Sequence, residues 1–309
     1  MIINAYSVGA MTSTLHRSLV TAAAFALLST GCSATTDQGS SASDATDTLR
    51  IDAAFYPLQY VAERVAGDYG TVTTLTQPGI EPHDLELAPA TVRSMQDADV
   101  VLFVGGLQPA IEDAIEATGV NSFDAADAIP LVERQTGELS FDPHFWLDPA
   151  LVADYARAVG DEFARLNPAH ADAYVANAAA LAIQLDALDG EFSKGLATCT
   201  RREFITTHEA FGYLADAYDL HQEGLAGIDP EAEPSPARLR EIKDVIAHTG
   251  ATTIFTETLV NTRVADALAS DAGVKTEVLD PIESVVDGTD YLSVMNHNLA
   301  ALRTALECT

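Results

Sequence analysis

The chain has 309 residues, of which 48% are hydrophobic, enough to build two domains with their own cores. Its 46 acidic and 16 basic residues give a formal net charge of -30, which would repel nucleic-acid phosphates and anionic membrane surfaces alike. Nucleic acid is therefore not expected as a partner. The acidity itself indicates solubility rather than a function, because salt screens exposed charges beyond ~10 Å.

The N-terminal segment has the features of an export signal. Arg17 precedes an apolar run over residues 19–28, which is too short to span a bilayer but suits a signal-peptide core. The sequence Leu-Ser-Thr-Gly-Cys that ends at Cys32 resembles a bacterial lipobox, although Ser29 stands where that pattern usually has leucine. We therefore expect secretion, and attachment of lipid to Cys32.

These features divide the start of the chain. Residues 1–31 are predicted to be a signal peptide, and Met11 is a better-placed start than Met1 because the first ten residues add nothing that a signal needs. Residues 32–48 are rich in Ser, Thr, Ala, Asp and Gly and lack periodicity. That composition predicts a flexible tether between the lipid and the first domain.

The pattern that follows the tether alternates strands and helices. Apolar and β-branched runs predict strands over residues 49–54, 71–76 and 100–104, and helices from Pro57 and over residues 89–96. The continuous apolar run at 100–104 is typical of a parallel strand that is covered on both faces. An N-terminal α/β lobe over residues 49–166 is therefore predicted.

A long helix separates this lobe from a second one. Asn167 and Pro168 suit the start of a helix whose Ala- and Leu-rich run extends to residue 196. As residues 167–197 carry no sustained heptad, a brace between two domains is preferred over a coiled-coil partner helix.

The rest of the chain repeats the alternation of strands and helices. The predicted strands include residues 203–207, 254–255 and 275–279, and the predicted helices residues 209–218, one from Pro236 and residues 264–272. A C-terminal α/β lobe over residues 198–309 follows.

Four polar residues stand where such a fold would form a binding cleft. His83, His208 and Asp280 follow predicted strands, and His144 lies at the junction of the lobes in FDPHFWLDP, a segment that its prolines keep out of helix. In open α/β sheets ligands bind beyond the carboxyl ends of the strands, so two facing lobes would share one cleft. A structured loop around Trp146, with His144 as a polar neighbour, is the alternative for that segment taken alone.

Several blocks together resemble a known family. GIEPHDLELAPATVRSMQDADVVLFVGG, DPHFWLDP, FITTHEAFGYLADAYDL, PSPARLREI and IFTET with VLDPI occur in the order found in metal-binding lipoproteins of ABC importers, the ZnuA/TroA-like group. The resemblance covers nearly the whole mature chain. It implies two Rossmann-like α/β lobes joined by a long rigid helix, with a transition-metal ion in the cleft between them.

By motif, the resemblance implies His83, His144, His208 and Asp280 as metal ligands. Three imidazoles and one carboxylate suit Zn²⁺, whereas Mn²⁺-selective relatives tend to replace the third histidine with glutamate, so Mn²⁺ is the less favoured ion. Many zinc-binding members carry a His-rich loop before DPH, which residues 131–140 lack. Auxiliary metal capture there is not expected. Glu257, after a strand, is a candidate to hydrogen-bond a ligand histidine.

Two further cysteines, Cys199 and Cys308, both belong to the second lobe. Because export leads to an oxidising compartment, we expect them to form a disulfide. A cysteine-ligated zinc site is disfavoured, since no third cysteine remains once Cys32 is lipidated.

The function predicted is that of a monomeric, non-enzymatic zinc receptor, lipid-anchored outside the cytoplasm, that delivers its ion to a membrane permease and its ATPase. A secreted zinc hydrolase is disfavoured because the HExxH signature is absent after His208-Glu209. An adhesin on the same fold remains open, because adhesion would be a surface property. The remaining histidines, assigned to the signal peptide or to packing, are His16, His170, His221, His248 and His297.

Overall fold

The structure, a computed structural model, describes residues 48–132, 141–284 and 288–309. The predicted signal peptide, Cys32, nearly all of the tether and most of the 131–140 loop lie outside the described residues. In the described part of the chain, no helix is both long enough and apolar enough to cross a membrane.

The N-terminal lobe is built on a parallel sheet with strand order β2-β1-β3-β4. Its strands are β1 (Leu49–Ala53), β2 (Gly70–Thr74), β3 (Val100–Phe103) and β4 (Ser122–Asp124). Its helices are α1 (Tyr56–Ala66), α2 (Pro89–Met95), α3 (Pro109–Thr118) and α4 (Ala125–Ala128). Because all four strands are parallel, their carboxyl ends share one edge of the sheet, where loops can meet.

Two long helices follow the N-terminal lobe: α5 (Pro149–Leu166) and α6 (Ala171–Leu196). They pack against each other, and the sequence allows a close approach at Gly160, where a Cβ atom would lie 2.6 Å from the Cβ of Ala178. The long helix begins later than predicted because Pro168–His170 forms a 3-10 turn. Its 26 residues give a length of about 39 Å at about 1.5 Å per residue.

The long helix α6 contacts both lobes. Near its start, the Tyr174 hydroxyl donates to the carbonyl of Tyr69 at 2.8 Å in the N-terminal lobe. Near its end, the ring of Phe192 stacks on Tyr218 at 5.2 Å, and the Tyr218 hydroxyl donates to Asp189 at 3.0 Å. The predicted bracing helix is therefore confirmed, while the residue boundaries given to the domains stay a prediction.

The C-terminal lobe repeats the architecture, with strand order β6-β5-β7-β8 and all pairs parallel. Its strands are β5 (Glu203–Thr206), β6 (His221–Gly224), β7 (Thr253–Thr256) and β8 (Lys275–Val278). Its helices are α7 (Gly212–Ala217), α8 (Pro236–Thr249), α9 (Arg263–Ala272) and α10 (Tyr291–Ala305). The helix predicted over residues 209–218 is thus shorter, at six residues.

Two buried apolar clusters hold the fold together. The larger one runs from the N-terminal sheet through α5 and α6 to α7 and α10, so both lobes share it. The smaller one lies between β5, β7, α8 and α9 and includes Ile205, Ile246 and Ile254. The shared cluster explains how two separate sheets can be held in a fixed relation while their loops meet at one site.

Cys199 and Cys308 form the expected disulfide, which joins the start of the C-terminal lobe to the end of the chain. The backbone supports the same junction, because the amide of Arg201 donates to the carbonyl of Leu306 at 3.1 Å. The bridge spans 109 residues of sequence.

Replacing both cysteines, Cys199→Ser with Cys308→Ser, should lower the free energy of unfolding by about 4 kcal/mol, because a long loop of the unfolded chain is released. Urea unfolding of the secreted protein measures this. Reductant should shift the wild type toward the double variant and leave the double variant unchanged. Equal unfolding midpoints for the wild type and the double variant in the absence of reductant would contradict the prediction.

Candidate metal centre

Three imidazoles and one carboxylate from separate parts of the chain meet at one point. His83 lies in the loop between β2 and α2, His208 lies two residues beyond β5, and Glu283 follows β8. His144 caps the 3-10 turn Phe145–Leu147 in the segment that leads into α5. The carboxyl ends of β2, β5 and β8 thus supply three of the four groups, as the topology of parallel sheets favours.

The four groups are close together and buried. Oε1 of Glu283 lies 3.4 Å from Nε2 of His83, 3.4 Å from Nε2 of His144 and 3.8 Å from Nε2 of His208. One ligand atom from each residue lies within 4.8 Å of all the others. Side-chain exposure is 8% for His83 and at most 2% for the other three.

This spacing fits a metal ion better than it fits hydrogen bonds. None of these four atoms has a hydrogen-bond partner among the described residues. In a tetrahedral zinc site with bonds of about 2.1 Å, ligand atoms stand about 3.4 Å apart. A cation at the centre would satisfy all four atoms at once.

Two further carboxylates orient the imidazoles from outside. Oδ1 of Asp142 lies 2.8 Å from Nδ1 of His144, and Oε2 of Glu257 lies 2.6 Å from Nδ1 of His208. Glu257 also accepts from the backbone amide of His208 at 3.2 Å and from the hydroxyl of Thr207. A carboxylate on Nδ1 leaves Nε2 as the lone-pair nitrogen that faces a metal.

Hydrogen bonds tie the segment that carries His144 to the C-terminal lobe. The indole of Trp146 donates to the carbonyl of Pro281 at 2.7 Å, and the hydroxyl of Tyr291 donates to the carbonyl of Trp146 at 2.6 Å. The hydroxyl of Tyr213 donates to the carbonyl of Asp142 at 2.9 Å. The ligands contributed by the junction and by the C-terminal lobe are therefore held in a fixed relation.

The electrostatic environment shifts the pKa values of the three histidines in different directions. Burial lowers the pKa of His83 and outweighs the opposing effect of Glu283. Burial also favours the neutral form of His144, but its contacts with Asp142 and Glu283 outweigh it and raise the pKa to about 9. For His208, burial is likewise outweighed by the Glu257 carboxylate, so its pKa is raised.

The pKa values of two carboxylates, Glu283 and Glu81, are shifted in opposite directions. Burial alone would raise the pKa of Glu283, but the surrounding imidazoles hold it well below its usual range. Burial, reinforced by the charge of Glu283, raises the pKa of Glu81 to about 7. Glu283 is thus maintained as an anion, the form in which a carboxylate can bind a metal ion.

Of the four ligands expected from the sequence, the structure brings together His83, His144 and His208, and Glu283 is the fourth member of this cluster. Asp280 is not part of the cluster: its Oδ1 accepts from the amide of Ile282 at 2.7 Å, and its Oδ2 lies 3.5 Å from the hydroxyl of Thr258. The LDP motif and the position just after a predicted strand both point to Asp280. The signal that sequence reasoning passed over is the second carboxylate of LDPIE, two residues beyond a proline.

Sequence reasoning also assigned no role to Asp142, although it lies two residues before His144. Glu257, in contrast, stands where it was suggested, beside a candidate ligand histidine. An acidic residue next to a histidine in a rigid Pro-flanked segment is a signal that could have identified Asp142.

A comparison with known families agrees with this geometry. Residues 51–305 match the family model described as zinc-uptake complex component A, periplasmic. The chain belongs to this family. The matched range contains both lobes, the long helix and all four clustered residues.

Two curated members of the zinc-uptake component A family illustrate the relationship. The zinc-binding lipoprotein AdcA of Streptococcus pneumoniae is 33% identical over 276 residues, covering 82% of this chain and 55% of AdcA. The chain therefore spans about half the length of AdcA. The high-affinity zinc uptake system protein ZnuA of Bacillus subtilis is 31% identical over 308 residues, covering 93% of this chain and 96% of ZnuA.

A solved structure from the same group has the same fold. The laminin-binding protein Lmb of Streptococcus agalactiae, described as a bifunctional protein with adhesin and metal-transporting activity, matches with a TM-score of 0.78 and 33% identity. The match covers 84% of this chain and 99% of Lmb.

Zinc affinity should fall as the pH falls, starting well above neutrality. A histidine must lose its proton to bind metal, and the pKa of His144 is about 9 in the metal-free protein. Below that pH the protonated fraction grows, so the apparent affinity should drop about tenfold per pH unit, and more steeply once His208 is protonated as well. Competition with a zinc-binding fluorescent dye from pH 6 to 9.5 measures the slope.

Asp142→Asn serves as the matched comparison, because it removes the charge that raises the pKa of His144 and keeps an oxygen beside Nδ1. Its affinity should begin to fall at a lower pH than that of the wild type. A wild-type affinity that stays constant between pH 8 and 6 would contradict the argument.

Proposed function

We propose that this chain is an extracytoplasmic zinc receptor that captures Zn²⁺ and delivers it to the permease of an ABC importer. The observation that carries the proposal is the cluster of three histidines and Glu283, which each place one ligand atom within 4.8 Å of the others. Their Nε2 and Oε1 atoms are buried and without hydrogen-bond partners in the described residues. The named activities of AdcA, ZnuA and Lmb support the same role.

The donor set favours zinc over manganese. Three imidazole nitrogens and one carboxylate oxygen form the borderline-soft, four-coordinate shell that Zn²⁺ accepts. Mn²⁺ is better served by carboxylate, carbonyl and water oxygens. We therefore propose His83, His144, His208 and Glu283 as the ligands, with Glu283 in place of Asp280, and zinc as the transported ion.

The same arrangement supports a receptor rather than a hydrolase. Catalytic zinc sites keep one position open for water and place a general base beside it. Here four protein groups can fill a tetrahedral shell, and Glu257, the acidic residue that follows β7, is engaged by His208 and Thr207. On this ground we propose a non-enzymatic function. We propose transport as the function because the buried donor set accounts for it.

The ligand assignment is tested by competitive titration of metal-free protein with Zn²⁺ and Mn²⁺. Glu283→Ala should weaken zinc binding more than mutation of a residue that only orients a metal ligand, which typically costs about 10- to 100-fold in affinity. His208→Glu should shift the relative preference toward manganese, because it trades a nitrogen donor for a harder oxygen. Glu277→Ala, at an exposed position on β8, is the matched control and should bind zinc like the wild type.

Two results would overturn this proposal. One is wild-type zinc affinity in Glu283→Ala or in His208→Ala. The other is a wild-type preference for manganese at equal free concentrations of the two ions.

We also propose that the protein acts as a monomer anchored to the cell membrane by lipid on Cys32. The signal-like apolar run and the Gly31-Cys32 pair support anchoring, and the name of AdcA as a lipoprotein agrees with it. A single acyl chain binds membranes only weakly, so stable anchoring would need more than one.

Cells labelled with palmitate should incorporate label into the wild type and not into Cys32→Ala, since no other residue is proposed to carry the lipid. Cys32→Ala should also move from the membrane fraction to the soluble one. Equal labelling of both proteins would remove Cys32 as the attachment site.

A further inference from the structure

The turn that presents Glu283 is held by residues outside the four-residue cluster. Asn298 of α10 is fully buried, and its side chain forms two hydrogen bonds with the backbone of Asp280. Its Oδ1 accepts from the amide of Asp280 at 2.9 Å, and its Nδ2 donates to the carbonyl of Asp280 at 2.7 Å. An amide side chain that hydrogen-bonds both the backbone N–H and the backbone C=O of one residue fixes the path of the chain as it leaves β8.

The side chain of Asp280 then shapes the next residues. Its Oδ1 accepts from the amide of Ile282 at 2.7 Å, which closes a tight turn across Pro281. Ile282 has a φ of 60°, in the left-handed region that β-branched residues strongly disfavour. Its side chain is completely buried. Such a conformation persists only where its surroundings impose it, and here burial and the Asp280 hydrogen bond impose it.

The turn ends at the metal site. Glu283 follows the strained residue directly, and its Oε1 lies 3.4 Å from the imidazoles of His83 and His144. The carbonyl of Pro281 is meanwhile fixed by the indole of Trp146. The carboxylate is thus aimed by the backbone geometry of residues 280–282 as well as by its own rotamer.

We propose that Asn298 and Asp280 are positioning residues for metal binding: the Asn298–Asp280 pair sets the turn that places the Glu283 carboxylate among the three imidazoles. This inference deepens the zinc-receptor function proposed above and rests on it. Asp280 acts through its hydrogen bond to Ile282 and contributes no bond to the ion. The alternative is that both residues only satisfy buried backbone groups and support folding.

A double-mutant cycle separates these roles. Asn298→Ala should lower zinc affinity about 10- to 100-fold, the range typical of groups that orient metal ligands. In a Glu283→Ala background the same change should have no further effect, because the group that it positions is gone. A structural role would lower affinity equally in both backgrounds. Asn296→Ala, at an exposed asparagine of the same helix, is the control and should match the wild type.

A second pair of variants covers the case in which Asn298→Ala does not fold. Asp280→Ala removes the acceptor for the Ile282 amide, whereas Asp280→Asn keeps an oxygen there. Asp280→Asn should therefore bind zinc at least about tenfold more tightly than Asp280→Ala. With Co²⁺ in place of Zn²⁺, the visible absorption of Asp280→Asn should match the wild type, and that of Asp280→Ala should move toward Glu283→Ala.

The possible failures are distinguishable. If the wild type binds no zinc, the receptor function and this inference both fall. If Glu283→Ala weakens zinc binding but the Asn298 and Asp280 variants bind like the wild type, only the positioning role falls. If Asp280→Asn loses as much zinc affinity as Asp280→Ala, the role of Asp280 in aiming Glu283 is overturned. If the effects of Asn298→Ala and Glu283→Ala are additive, the role of Asn298 is overturned.

Discussion

The burial, at one point, of four polar atoms that have no hydrogen-bond partner in the described part of the chain is the constraint on which the site depends. Each buried polar atom left without a hydrogen bond costs about 1–3 kcal/mol, so four together cost several kcal/mol. Against a total stability of about 5–15 kcal/mol, such a cost calls for a compensating gain. Here the four atoms converge from two lobes, and one divalent cation would satisfy them all. The shared apolar cluster and the long helix α6 keep the lobes in the relation that this convergence needs.

Much of this arrangement follows from patterns that are local in sequence. Apolar runs such as Val100–Phe103 identify the buried central strands, and prolines mark the starts of α2 and α8. Since the carboxyl ends of parallel strands share an edge, a histidine just past a strand is a site candidate, and His208 was found in this way. The edge strands β4 and β6 were missed, because Ser122–Asp124 and His221–Gly224 are short and carry little apolar character. Their pairing to the neighbouring strand, not their composition, makes them strands.

The fourth member of the cluster shows where local patterns fail. Asp280 and Glu283 are both carboxylates beyond β8, and the spacing from the strand favours the nearer one. The choice is made by tertiary contacts: Asn298, 18 residues further on, fixes the backbone of Asp280, and the Ile282 amide occupies its Oδ1. The left-handed conformation of Ile282 then turns the chain so that Glu283 reaches the imidazoles. An isoleucine is among the residues least expected there, so no propensity scale would have predicted the turn.

The charge of the site is balanced in a way that suits the exchange of protons for a metal ion. Contacts with Asp142 and Glu283 raise the pKa of His144 to about 9, and the Glu257 carboxylate raises the pKa of His208. A proton held by either ring must leave before that ring can bind Zn²⁺, so positive charge leaves the site as the ion enters. Because burying net charge is costly in a region of low polarity, this exchange changes the charge of the site less than binding to neutral rings would. The carboxylates behind the histidines therefore serve both forms: they raise the pKa of His144 and of His208 without the ion, and they orient the same rings toward the ion when it binds.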